Sequence, residues 1–194
     1  MIQIHDDGRP AVPRFSAVPA ATGLYDPAAE HDSCGVAFVV DAQGRRSHRI
    51  VQQGLTAWHN LEHRGAAGAE PSSGDGAGIL IQIPEAFFRA VVDFPLPAAG
   101  SDGASRYAVG MAFLPVDEPE RAETIATIER IAVEEGATVL GWREVPVEPA
   151  DLGPTARSVM PVFAQLFLAG PDGESGLPLE RRAFCIRKRA ERDT

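Results

Sequence analysis

A cysteine that opens an apolar run constrains this chain more than any other feature. In His31-Asp32-Ser33-Cys34-Gly35-Val36-Ala37-Phe38-Val39-Val40 a polar tripeptide gives way to a thiol and then to unbroken apolar side chains. A run of that length, closed by Asp41-Ala42-Gln43-Gly44, reads as a buried strand ending in a turn. Cys34 then stands at the mouth of a rigid element, where a side chain can meet a small molecule. A lone intracellular cysteine is commonly a buried structural one, and two features weigh against that here. Cys34 is the first residue of the run rather than an interior one. The residues before it also look dispensable: Pro10, Pro13, Pro19 and Pro27 lie among small and charged side chains with neither helical nor strand period. Residues 1–33 are therefore expected to form an extended leader.

Length and charge bound what the rest can be. The chain has 194 residues, enough for one domain with a sizeable core. A formal net charge of −9 leaves no general attraction to nucleic acid or to an anionic membrane surface. No apolar run reaches membrane-spanning length, and no basic segment followed by an apolar one marks an exported chain. Two distant cysteines make no disulfide framework and fit a reducing, cytoplasmic setting. They are also too few to hold an iron–sulfur cluster, which takes three or four thiolates. Lys188 is the single lysine, every other basic side chain being arginine.

Periodicity places the elements. Ser47 can cap a helix running to about His63, with Ile50, Val51, Leu55 and Trp58 as its apolar stripe and Gly65 as its stop. A glycine-rich loop, Gly65 to Gly78, feeds a strand at Ile79 to Ile83, and Pro84 opens a short helix through Phe87, Phe88 and Val91. After a Pro/Gly/Ser loop at 93–105 come a strand at Tyr107 to Leu114 and an acidic helix from about Glu118 to Glu135. Ile125, Ile128, Ile131 and Ala132 mark the buried face of that helix, and Gly136 ends it. Further strands are expected at Thr138 to Val147, Val162 to Ala169 and Ala183 to Arg187. Cys185 then falls inside the last apolar strand as a structural residue. Strands of mixed spacing with a few helices argue an α+β class.

Three features compete for chemistry. The glycine loop is the weakest, because Ile79 stands at the third glycine position of a dinucleotide fingerprint and the loop precedes a strand. Tight turning beside a pocket suits it better than phosphate binding. The second is His59-Asn60-Leu61-Glu62-His63, an H-x-x-E-H spacing that could put two zinc ligands on one helix face with Glu62 as general base. It offers no third ligand, and Gly65 ends the helix at once. The third is Cys34. A thiol near pKa 8.5 needs a base or a positive neighbour to react at neutral pH. Removal of residues 1–33 would give Cys34 a free α-amine, with a typical pKa of about 7.7–8, beside its own sulfur. Before such cleavage that nitrogen is an amide and accepts no proton.

Several motifs in register now converge. Glu30-His31-Asp32-Ser33-Cys34-Gly35-Val36, Leu61-Glu62-His63-Arg64-Gly65 and Gly74-Asp75-Gly76-Ala77-Gly78-Ile79 resemble the glutaminase domain of glutamate synthase large subunits. Val109-Gly110-Met111-Ala112-Phe113-Leu114-Pro115 and Gly141-Trp142-Arg143-Glu144-Val145-Pro146-Val147 extend the resemblance in the same order, from about Gly23 to Lys188.

The resemblance implies a class II glutamine amidotransferase with the four-layer αββα sandwich of N-terminal nucleophile hydrolases. Such enzymes release ammonia from glutamine through a cysteinyl thioester, and in glutamate synthase the ammonia aminates 2-oxoglutarate at a distant centre. Cys34 matches the nucleophile. Arg64, in the His-Arg-Gly motif, is a substrate-pocket candidate, with the alternative role of satisfying carbonyls at a helix C-terminus. No metal site is implied. The family's Arg-Phe-Ser-Thr-Asn-Thr and His-Asn-Gly motifs do not occur before Thr194, so residues 34–194 are expected to be the front part of such a domain, incomplete at its C-terminal end. On its own this chain is expected to turn over glutamine poorly or to be a non-catalytic remnant. FMN and an iron–sulfur cluster are expected in other domains of the parent enzyme and not in this chain. The implied partners are glutamine, the remainder of the large subunit and its small subunit, with neither nucleic acid nor membrane.

Overall fold

The computed structural model describes residues 21–24, 26, 35–61, 64, 76–101 and 103–194. These fall into two units, Met1–Ile79 and Leu80–Thr194. The first contains one described helix, α1 (His48–Asn60). The second runs α2 (Glu85–Val91), β1 (Ala108–Leu114), α3 (Glu118–Glu134), β2 (Thr138–Glu144), α4 (Pro154–Ser158), β3 (Val162–Ala169) and α5 (Gly176–Asp193). The class is α+β, with one small antiparallel sheet among the described residues.

The sheet has the order β1-β3-β2, so the last strand in sequence lies in the middle. Its register pairs Phe167 with Val109 on one side and with Gly141 on the other. Because alternate side chains point to opposite faces, β3 feeds two clusters. Leu166 and Leu168 pack with Ile131 and Ala132 of α3 and Ile186 of α5. Phe167, fully buried, packs with Phe88 and Tyr107. Its ring meets Phe88 edge-on, with centroids 5.0 Å apart, and Phe94 at 5.2 Å. Phe94 lies over Gly141 so closely that a Cβ there would sit 2.5 Å from the ring.

Helix α3 shows how sequence sets both of its ends. The Asp117 carboxylate accepts the Glu120 N–H at 3.2 Å, an N-cap that meets the helix dipole with negative charge. At the other end Gly136 adopts φ +74°. Its N–H donates to the Val133 carbonyl, and that of Ala137 to the Ala132 carbonyl, both at 2.9 Å, which is the Schellman arrangement. Arginines from α5 close over this terminus. Arg182 donates to the Glu135 carbonyl and clasps Glu174 at 2.7 and 3.1 Å. Arg189 reaches the carboxylates of Glu134 and Glu135.

Several expectations are corrected. Ala183 to Arg187 is not a strand but the middle of α5. Five residues are too few to separate the two periods, and Leu179 and Ile186, buried seven apart, show the helical one. Cys185 is therefore exposed rather than structural. The strand begun at Thr138 ends at Glu144. Val145 still donates to Phe163 at 2.9 Å, and Pro146 has no N–H to continue the ladder. Residues 35–40 and 79–83 are not assigned as strands, and Val36, Phe38 and Leu80 are largely exposed. A strand needs a ladder partner, and neither segment has one among the described residues. The helix begun at His48 ends at Asn60, with Leu61 as its C-cap. Helix α4, opened by Pro154, was not anticipated. The leader, apart from residues 21–24 and 26, lies outside the described residues.

Two outcomes are expected. Phe167→Ala should lower stability by about 3–5 kcal/mol, measured by urea unfolding. The Arg182 guanidinium holds the Glu174 carboxyl below its ordinary value of 4.5. A depressed carboxylate stabilises above that value and loses the effect as pH falls through its folded-state pKa. The gap in thermal midpoint between the parent and Arg182→Gln should therefore be widest near about pH 7 and narrow toward about pH 3. The contact to the Glu135 carbonyl leaves a residual difference.

Candidate active site

Helix α1 organises the first unit. Ser47 Oγ accepts the Arg49 N–H at 3.2 Å and starts the helix. The turn before it is fixed by Asp41, whose carbonyl accepts from Gly44 at 2.9 Å and whose carboxylate accepts from the Gln43 N–H at 2.8 Å. Arg45 also donates to that carboxylate, at 3.0 and 3.1 Å, and the guanidinium holds the Asp41 carboxyl below the usual carboxylate range. Gly44 has φ +70°, the left-handed conformation that glycine adopts without strain.

Residues 35–40 return along this helix in the opposite sense. Gly35 meets Leu61 at the C-terminal end: a Cβ added at Gly35 would lie 3.1 Å from Leu61 Cβ and 3.2 Å from each Cδ. Val40 meets the N-terminal end, lining one concavity with Ser47 and Ile50. From Ile50 to Leu61 is about 16 Å at 1.5 Å per residue, and five residue steps of extended chain cover about 17 Å. An extended segment of this length can span the helix from one end to the other.

Arg64 joins the same end of α1. Its N–H donates to the Leu61 carbonyl at 2.8 Å, placing the half-buried Arg64 one turn beyond the helix. Leu61 therefore touches both stretches that the sequence singled out, the residue after Cys34 and the His-Arg-Gly motif. Cys34 itself lies outside the described residues, as do Glu62, His63 and residues 65–75. His59 is exposed in the last turn of α1. Its H-x-x-E-H partners fall outside the described residues, within which no three metal-ligating side chains gather.

Two further features lie apart from this junction. The concavity of about 450 Å³ lined by Arg45, Arg46, Ser47, Arg49 and Gln53 sits at the opposite end of α1. In the glycine loop, Gly76 and Gly78 have no positive φ, and nothing lies near an added Cβ. Neither of these two positions requires glycine by conformation; the rest of the loop, on which the expected tight turning falls, lies outside the described residues. Sequence reasoning gave Leu61 no role of its own: it stood as a spacer inside H-x-x-E-H and at the head of Leu61-Glu62-His63-Arg64-Gly65. The available signal was its place as the first residue after a helix end, where a side chain folds back onto whatever passes that end.

The sequence model of the family described as "Glutamine amidotransferases class-II" matches residues 34–194. The chain belongs to that family. Among curated proteins it is 41% identical to "Glutamate synthase [NADPH] large chain" of Bacillus subtilis, over 91% of this chain and 11% of that protein. It is 38% identical to "Ferredoxin-dependent glutamate synthase 2" of Synechocystis, over 81% of this chain and 10% of that protein. It is also 35% identical to "Glutamate synthase [NADH]" of Schizosaccharomyces pombe, over 90% and 8% respectively. The chain thus spans about a tenth of the length of the curated relatives it matches.

Proposed function

We propose that residues 34–194 serve as the glutamine-hydrolysing part of a glutamate synthase, with Cys34 as nucleophile. The observation that carries this is where the family match begins: it starts at Cys34 and runs to residue 194, leaving the leader out. A domain that starts at its cysteine is what an N-terminal nucleophile requires. After removal of residues 1–33, the α-amine of Cys34 accepts the thiol proton. The thiolate attacks the carboxamide carbon of glutamine, and the tetrahedral oxyanion collapses with its C–N bond breaking. The ammonium returns the proton to the departing nitrogen, which leaves as ammonia. Water then hydrolyses the thioester, releasing glutamate and restoring the thiol. Arg64, one turn past α1, is the substrate-pocket candidate.

On this reading the small sheet is part of a four-layer αββα sandwich, and the ammonia aminates 2-oxoglutarate elsewhere in the whole protein. The partners are the remainder of the large subunit and a small subunit, in a cytoplasm that keeps the thiol reduced. Among the described residues no helix is long and apolar enough to cross a membrane. FMN and an iron–sulfur cluster belong to other domains. The donor set here does not fit a cluster, since the chain has two cysteines where a cluster takes three or four thiolates.

Intact-mass analysis of the whole protein from its native host should show residues 1–33 removed. A full-length N-terminus on an active enzyme would overturn the mechanism. Cys34→Ala should cut glutamine-dependent ammonia release by about 10³-fold or more, while Cys185→Ala leaves it unchanged. Equal turnover in the Cys34 variant would assign the chemistry to another group.

A further inference from the structure

We infer that Leu61 is a positioning residue for the Cys34 nucleophile. It acts by close packing against Gly35 while its own carbonyl anchors Arg64. The inference rests on the proposed role of Cys34 and adds a contact that fixes its covalent neighbour, Gly35. Covalent geometry holds the Cα atoms of Cys34 and Gly35 about 3.8 Å apart across a trans peptide. Whatever fixes Gly35 therefore limits where the sulfur can go.

Three Leu61 atoms would stand 3.1–3.2 Å from a Cβ at residue 35, tighter than ordinary van der Waals contact. Gly35 has no positive φ that would call for glycine on conformational grounds. Lack of space is then the reason for glycine at this position: it lets the backbone come against Leu61. On its other side, Leu61 closes α1 and accepts the Arg64 N–H at 2.8 Å. One residue thus contacts the segment bearing the nucleophile through its side chain and holds the pocket candidate through its carbonyl. A 13-residue helix stands behind both contacts. Misplacement of a reacting group by about 1 Å can cost about 10²-fold in rate, so the fit between residues 35 and 61 bears directly on turnover.

The test uses the whole processed protein and a glutamine analogue with a diazoketone in place of the carboxamide, which alkylates a correctly placed thiol. Labelling of Cys34 is followed by peptide mass spectrometry. Iodoacetamide alkylation of Cys34 and of the exposed Cys185 reports thiol reactivity, and urea unfolding followed by circular dichroism reports folding. Gly35→Ala is expected to lower the limiting rate of analogue labelling about tenfold, with the concentration for half-maximal rate and both iodoacetamide rates within about threefold of the parent. The double variant Gly35→Ala/Leu61→Gly removes the Cβ and both Cδ atoms that would face the added methyl and should restore the limiting rate to within about threefold. Unchanged labelling in Gly35→Ala, or no recovery in the double variant, would overturn the inference. If Gly35→Ala has lost the unfolding transition of the parent, the variant has unfolded. Leu61→Ala alone must then show the fall in limiting rate, and its absence overturns the inference equally. No labelling of Cys34 in the parent would instead remove the proposed nucleophile, a result distinct from labelling that ignores residues 35 and 61.

Discussion

The burial of both faces of β3 is what the second unit depends on. An inner strand makes backbone hydrogen bonds on two edges and offers side chains to two faces. In β3 the two faces carry different tasks. Ala164, Leu166 and Leu168 are buried, and the last two meet α3 and α5. Phe167 gathers Phe88, Phe94 and Tyr107 around one ring. Burial pushes the Tyr107 phenol up to about 12, and the Glu85 charge adds to it. That phenol is uncharged at neutral pH and so adds no charge of its own to the cluster around Phe167. Removing β3 would leave β1 and β2 without a ladder partner and α3 without its floor.

Chemistry and packing are distributed unequally along the chain. The residues that the family match and the motifs single out, Cys34 and Arg64, fall in the first unit, where α1 has no fully buried residue. The large buried side chains, Tyr107, Phe167 and Ile131, all fall in the second. Regions with few buried apolar contacts open at lower free energy than a core, so an interlock such as Gly35 on Leu61 matters more in the first unit than its small area suggests.

Much of this was legible in the sequence, for reasons that differ by element. The C-terminal end of α3 could be read because Gly136 is a cap with a direct mechanism, whereas the Asp117 cap emerged only from the structure. The strands at 108–114 and 162–169 could be read because long apolar runs bounded by proline or glycine leave few alternatives. Ala183 to Arg187 misled because the run is short and the helical period appears only when Leu179 is included. Val36 to Val40 showed an apolar run correctly, but a run does not supply its own ladder partner. The family motifs around Cys34 and Arg64 were visible as residue patterns. Their junction through Leu61 was not, since nothing in a linear pattern says that residue 35 passes the end of a helix closing at 61.

The all-arginine character of the α3–α5 clamp has a chemical consequence. Arg182 and Arg189 hold the end of α3, and the single lysine, Lys188, pairs with Glu191 inside its own helix. Acylation and carbamylation act on neutral amines, which a guanidinium does not supply, so the clamp lies outside their reach. Amine chemistry on this chain is confined to the α-amine and Lys188. The protein can accumulate such adducts with age while the contacts that bind its two long helices keep their charge.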